Sequence, residues 1–203
     1  MRWKHMALSV LAFLLLFSAC APKAERVSDE ELKELRKQYP YNDATSEFVD
    51  GVTPHQAYPD FDAWIYRADP FFIHAVVVLE PEGEWRELDN GWHDVLARDA
   101  KIKEVLWTKG SLKAGDKVTL GLGMYLKYQV EKVYAEDKTL VCILFEPQKD
   151  HGLPNYFLTP KEYTLYLTKD DVLLSVSSAG GPDSVSGMYL HAFEKRMNEA
   201  LAK

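Results

Sequence analysis

Phe71-Phe72-Ile73-His74-Ala75-Val76-Val77-Val78-Leu79 decides the fold class. The run is β-branched and aromatic, and Pro81 to Gly83 stop it, so it reads as the strand that opens a folded core. Downstream, residues 92–107 read as one long bulged strand or two strands. Lys109-Gly110 and Ala114-Gly115-Asp116 read as turns, Gly110 and Gly115 supplying the freedom to take positive φ and Asp116 a carboxylate for nearby backbone amides. Residues 117–123 place Val118, Leu120 and Leu122 at a period of two, the spacing of one strand face. Residues 128–135 and 139–145 flank Glu136-Asp137-Lys138 as a hairpin, and residues 163–167 and 172–176 pair around 168–171. About seven short strands with regular turns predict a mainly β chain, an antiparallel sandwich or barrel.

Two helices flank these strands. Ser28-Asp29-Glu30-Glu31 is a capping box, with Ser28 as N-cap and Glu31 at N3. Its helix has only Leu32 and Leu35 as an apolar stripe and ends before Pro40, so it is either a spacer or a helix packed on the domain. Near the C-terminus, Leu190, Phe193, Met197 and Leu201 recur at helical spacing with charged residues between them. Pro182-Asp183-Ser184 starts or precedes that helix, which is expected to cover one face or end of the sheet.

At the other end of the chain, Arg2 and Lys4 precede a run over 6–17 that is apolar except for Ser9, and Ser18-Ala19-Cys20 closes it. Basic, apolar, then small residues is the order of a secretory signal. The run falls short of the roughly 20 apolar residues a spanning helix needs. Leu14-Leu15-Leu16-Phe17-Ser18-Ala19-Cys20 resembles the lipobox of bacterial lipoproteins, with Phe17 where that family usually has Leu. The resemblance implies cleavage before Cys20, a diacylglycerol on its thiol, and anchoring in the cell membrane or outer membrane facing away from the cytoplasm. Ala21, where Asp commonly favours inner-membrane retention, leans towards the outer membrane if the source is Gram-negative. The alternative is an ordinary secretory signal with an incidental Cys. The expected organisation is therefore a signal at 1–19, a lipidated Cys with tether and short helix at 20–40, and one barrel domain with a C-terminal helix at 41–203.

Removing 1–19 would leave 184 residues, enough for one domain with a core of its own, and would take the formal charge from −7 to −9 with the loss of Arg2 and Lys4. That balance argues against nucleic acid, whose binding rests on Lys and Arg neutralising phosphate. With Cys20 lipidated, Cys142 would be the remaining thiol, set in an apolar run where a Cys behaves as a small hydrophobe.

Residues 104–120 read Glu104-Val105-Leu106-Trp107-Thr108-Lys109-Gly110 and then Lys113-Ala114-Gly115-Asp116 before an alternating strand; Lys161-Glu162-Tyr163-Thr164-Leu165-Tyr166-Leu167 follows later. This arrangement is similar to OB-fold barrels of the netrin and metalloproteinase-inhibitor type. The resemblance spans about 71–176 and implies an OB-like antiparallel barrel, here without that family's disulfides and with an extra hairpin. Its motifs concern turns and core packing and bring no catalytic residue.

Chemical motifs are absent: there is no HExxH, CxxC, GxSxG or phosphate loop, and no two of His55, His74, His93, His151 and His191 stand at ligand spacing. No metal, cofactor or catalytic residue is expected. His74 reads as a core histidine, with a ligand contact as the less favoured reading. Two segments are candidates for binding. In 58–72 six of fifteen residues are aromatic, among them Tyr58, Phe61, Trp64 and Tyr66. Aromatic faces left outside a core bind peptides or sugars, but burial tendency favours a segment wrapped on the barrel. The second is the loop with His151, Asn155 and Tyr156, a recognition loop or simply a long connection. The expectation is a lipid-anchored, non-enzymatic binding or structural module whose partners are the membrane, through Cys20, and an envelope protein or component. A hydrolase with dispersed residues and a lipocalin-like carrier are the alternatives.

Overall fold

The computed structural model describes residues 24–41, 59–68, 72–89, 94–122, 138–145, 156–158 and 161–202. Its elements run α1 (Asp29–Gln38), α2 (Phe61–Arg67), β1 (Ile73–Asp89), β2 (Asp94–Thr108), β3 (Lys117–Leu122), β4 (Leu140–Phe145), β5 (Tyr156–Leu158), β6 (Thr164–Leu167), β7 (Leu173–Ser175), α3 (Gly180–Asp183) and α4 (Leu190–Leu201). The strands form one sheet in the order β5-β3-β2-β1-β4-β6-β7. It is mainly antiparallel, and among the described residues its two edges, β5 and β7, are not paired with each other. The first run of the 128–145 hairpin lies outside the described residues; its second run is β4.

The sheet is buried on both faces. One face presents Ile73, Val76, Val78, Val141, Ile143 and Leu165 to α2 and α4, which contribute Phe61, Trp64, Ile65, Phe193 and Met197. The other gathers Ala75, Val77, Leu79, Ile102, Leu120, Leu140, Cys142, Leu144 and Phe157, with Leu32 and Leu35 of α1 and Tyr39 at its end packed against them. Burial on both faces explains why β4 reads Leu-Val-Cys-Ile-Leu-Phe without alternation. Ser28 caps the helix as expected, its hydroxyl accepting from the Glu31 amide at 3.3 Å, and Tyr39 ends the helix ahead of Pro40. The thin apolar stripe makes α1 a packed helix rather than a spacer.

Four sequence expectations are corrected. First, β1 does not stop at Pro81 to Gly83 but continues to Asp89. It pairs with β4 only from Ile73 to Leu79, so beyond Leu79 one edge lacks that partner, where a proline's missing N–H is tolerated. A register irregularity between Glu82 and Arg86 absorbs Gly83 at φ 66°. Second, β5 pairs parallel to β3, through Thr119↔Tyr156 to Gly121↔Leu158. Third, residues 25–27, read as a tether, belong to the fold: Arg26 forms a β-bridge with Met188. Fourth, Gly110 does not have positive φ. It is required by proximity, since a Cβ there would lie 2.6 Å from His74 Nε2.

Gly115 does take positive φ, 93°, and the Asp116 carboxylate accepts from the Lys113 amide at 3.0 Å. Nothing lies within 4 Å of a Cβ built there, so the cost of a side chain is conformational. Gly115→Val is expected to destabilise by about 1–2 kcal/mol. For a domain of this size that is a fall of roughly 2–8 °C in Tm by calorimetry.

Candidate functional site

Polar chemistry among the described residues concentrates where the N-terminal segment meets the C-terminal lobe. α1 packs the half-buried Leu32 and Leu35 against the sheet, which places Arg36, one turn after Leu32, over the end of β7. Its Nη1 donates to the Ser175 carbonyl at 2.7 Å and the Tyr39 carbonyl at 3.3 Å. Its Nη2 donates to Asp183 Oδ1 at 2.6 Å and to Ser186 Oγ. The guanidinium lies 3.7 Å from the Tyr41 ring centroid, and the Tyr41 hydroxyl donates to the same Asp183 oxygen at 2.9 Å. Partial burial pushes the Tyr41 phenol above its ordinary pKa; Arg36 opposes that shift, and the hydrogen bond to Asp183 adds to it. Tyr41 therefore remains a donor at neutral pH.

Ahead of α1, the chain runs alongside residues 187–189. Val27 N donates to the Gly187 carbonyl at 2.9 Å and Tyr189 N to the Glu25 carbonyl at 3.0 Å. Arg26 adds side-chain bonds from Nη1 to the Ser184 carbonyl at 3.0 Å and from Nη2 to the Ser186 carbonyl. Residues 25–27 are thus a strap, and Arg26 and Arg36 clamp the same serine-rich turn.

This cluster is a latch. Ser186 Oγ donates to Asp183 Oδ1 at 2.7 Å and accepts from Ser175 N at 3.0 Å and from Arg36. A hydroxyl has one proton and two lone pairs, so the hydrogen-bonding capacity of this oxygen is filled by the cluster. A second polar group, Arg86 with Asp99 at 2.7 and 3.0 Å and Thr119 on Asp99 at 2.8 Å, ties β1, β2 and β3 together. The hydrogen bonds from Arg86 hold the Asp99 carboxyl below its ordinary pKa, against a smaller desolvation effect. No group of three or more His, Cys, Asp or Glu is placed to hold a metal among the described residues.

The residues singled out in the sequence are scattered. Cys20, Tyr58, His151 and Asn155 lie outside the described residues. Tyr156 starts β5, its backbone opposite Thr119. Phe61 and Trp64 face the core at 3 % and 0 % exposure, so no surface partner reaches them. Trp64 stacks on Tyr163 at 5.7 Å between centroids and meets Phe61 edge-on at 5.8 Å. Tyr66, on the opposite side of α2, is 82 % exposed, and Phe72 is 51 % exposed. His74 lies against Phe157, ring centroids 5.3 Å apart. The strap and latch residues escaped the sequence reading; the one available signal was Arg36 on the apolar stripe of α1, four residues after Leu32.

No protein-family model, curated protein or solved structure matches the chain. No helix among the described residues is long and apolar enough to cross a membrane.

Cys142 is fully buried, its Sγ 3.9 Å from Thr164 Oγ1, and burial pushes its thiol up to about 12. A thiol reacts as thiolate, so Cys142 is expected to resist iodoacetamide in the native protein at pH 8 and to react once the chain is unfolded. Peptide mass spectrometry before and after denaturant checks this.

Proposed function

We propose that the chain is a lipid-anchored cell-envelope protein, held through Cys20 in the cell membrane or outer membrane and facing away from the cytoplasm. Its domain acts as a non-enzymatic binding or structural module. The observation that carries this reading is the order of basic, apolar and small residues ending at Cys20. A second observation fits it: the fold engages the chain from Glu25 onward, five residues after that Cys, so cleavage before Cys20 leaves the strap and latch whole. Two or more acyl chains anchor stably, which frees the domain from carrying its own membrane-binding patch. Tyr66 and Phe72 are exposed and are aromatic side chains of the 58–72 segment that a partner would reach.

We further propose that the sheet curls into an OB-like barrel. The ring contact between His74 on β1 and Phe157 on β5 supports it, because β3 and β2 separate those strands in the sheet order and a flat sheet would hold the two rings apart. β5 also approaches β4.

A cross-linked pull-down of the full-length protein from intact cells tests the function, with Cys20→Ser as the control. One dominant envelope protein, lost with Cys20→Ser, is the expected result. Equal recovery of that protein with Cys20→Ser would contradict a role that depends on the anchor, and the absence of any enriched partner would move the reading to a hydrolase or a small-ligand carrier.

A further inference from the structure

We propose that the edge of the domain formed by Tyr189, His191 and the turn at 169–171 is its membrane-facing surface, held at the phospholipid headgroups by a leash only five residues long. The proposal rests on lipidation of Cys20.

The exit point of the leash is fixed. Glu25 and Val27 are hydrogen-bonded to Tyr189 and Gly187, and Arg26 is bridged to Met188 and bonded through its guanidinium to the 184–186 turn. From Cys20 to Glu25 the chain spans at most about 18 Å when fully extended. With the cysteine side chain and the Glu25–Tyr189 hydrogen bond added, the lipidated sulfur and the Tyr189 backbone are within about 2.5 nm of each other in any conformation of the intervening residues. That reach is shorter than the thickness of a small domain, so the domain cannot turn this edge away from the bilayer while the strap is docked.

The surface at that edge suits the place. Tyr189 and His191 are half-buried, and their rings stack with centroids 5.9 Å apart. Leu190 N donates to the Asp171 carbonyl at 2.8 Å, which brings the exposed turn with Lys169 and Asp170 to the same edge. Rings with an apolar body and a polar tip settle at headgroup level. A net charge of −9 after removal of 1–19 supplies no attraction to anionic lipid. The closeness is covalent in origin, and salt does not weaken it as it would weaken an electrostatic contact.

The test uses the full-length acylated protein in phosphatidylcholine vesicles containing a nitroxide-headgroup lipid. A fluorophore is placed at Lys169→Cys or at Ser111→Cys. Ser111 is exposed in the turn after β2, near the end of the strands where Ile73 pairs with Phe145, whereas 169 lies beyond Leu167 at the opposite ends. Buried Cys142 does not compete for the label. Quenching is expected to be several-fold stronger at 169 than at 111, unchanged by added salt, and equal at the two sites once a flexible Gly-Ser insert of about 20 residues follows Ala21. Equal quenching at both sites in vesicle-bound protein with the native leash would overturn the membrane-facing assignment and leave the anchor standing. Failure of the protein to bind vesicles would overturn the anchor and the assignment together.

Discussion

Trp64→Ala is expected to lower stability by about 3–5 kcal/mol, the range for deleting a buried large aromatic. Tm then falls by roughly 6–20 °C for a domain of this size. Trp64 is fully buried, stacked on Tyr163, edge-on to Phe61, and its carbonyl accepts from the Tyr163 hydroxyl at 3.3 Å. α3 packs on it so closely that a Cβ at Gly181 would lie 2.5 Å from Trp64 Cβ. The cavity is therefore bounded by α2, α3 and Tyr163 and cannot collapse by moving one side chain. Trp64→Phe separates packing from polarity. Its indole Nε1 is buried without a hydrogen-bond partner among the described residues, so Phe keeps much of the ring contact and removes a group that is costly to bury. The loss expected for Phe is less than half of that for Ala. An Ala variant with unchanged Tm would contradict the burial of the Phe61 and Trp64 side of α2 against the sheet.

Arg36→Met is the second large effect. Methionine keeps an unbranched stem on α1 and removes every donor to Ser175, Asp183 and Ser186. Asp183, the Ser175 carbonyl and Ser186 then lose their charged partner. Hydrogen bonds to charged groups contribute about 1.5–3 kcal/mol. Asp183 is 32 % exposed, so water recovers part of the loss and the expected cost is about 2–3 kcal/mol. Arg36→Lys should not restore it, because an ammonium cannot fork to four acceptors from one position. The signature is local: hydrogen exchange at the Val27 and Tyr189 amides should rise before the β1 and β4 amides change. Uniform acceleration across the sheet would mean that the latch acts on global stability and not on the strap.

The strands were legible because their signals are local. Alternation in β3, the apolar run of β4, the Asp116 turn and the Ser28 capping box each lie within a few residues of sequence. So did the wrapping of Phe61 and Trp64, since large aromatics beside a β core are more often buried than displayed. What stayed illegible depends on partners distant in sequence. Pro81 reads as a stop until β1 is seen to lack β4 beside it beyond Leu79. Gly110 reads as a turn glycine until His74 is seen above it. Residues 25–27 carry no strand pattern, and nothing in Ala24-Glu25-Arg26-Val27 indicates that residues 184–189 receive them. Likewise Arg36, Asp183 and Ser186 are separately unremarkable surface types, and only the fold joins them.

The anchor is the central claim, and the mass of the mature N-terminus tests it most directly. The protein is expressed with a C-terminal tag in a bacterium that processes lipoproteins, extracted with detergent, digested and measured. The account predicts an N-terminal peptide beginning at Cys20 and carrying a diacylglycerol, with the protein in the membrane fraction, and a Cys20→Ser variant that stays as precursor or moves to the soluble fraction. A mature chain that begins elsewhere, or an unmodified Cys20 thiol in a soluble protein, would contradict it.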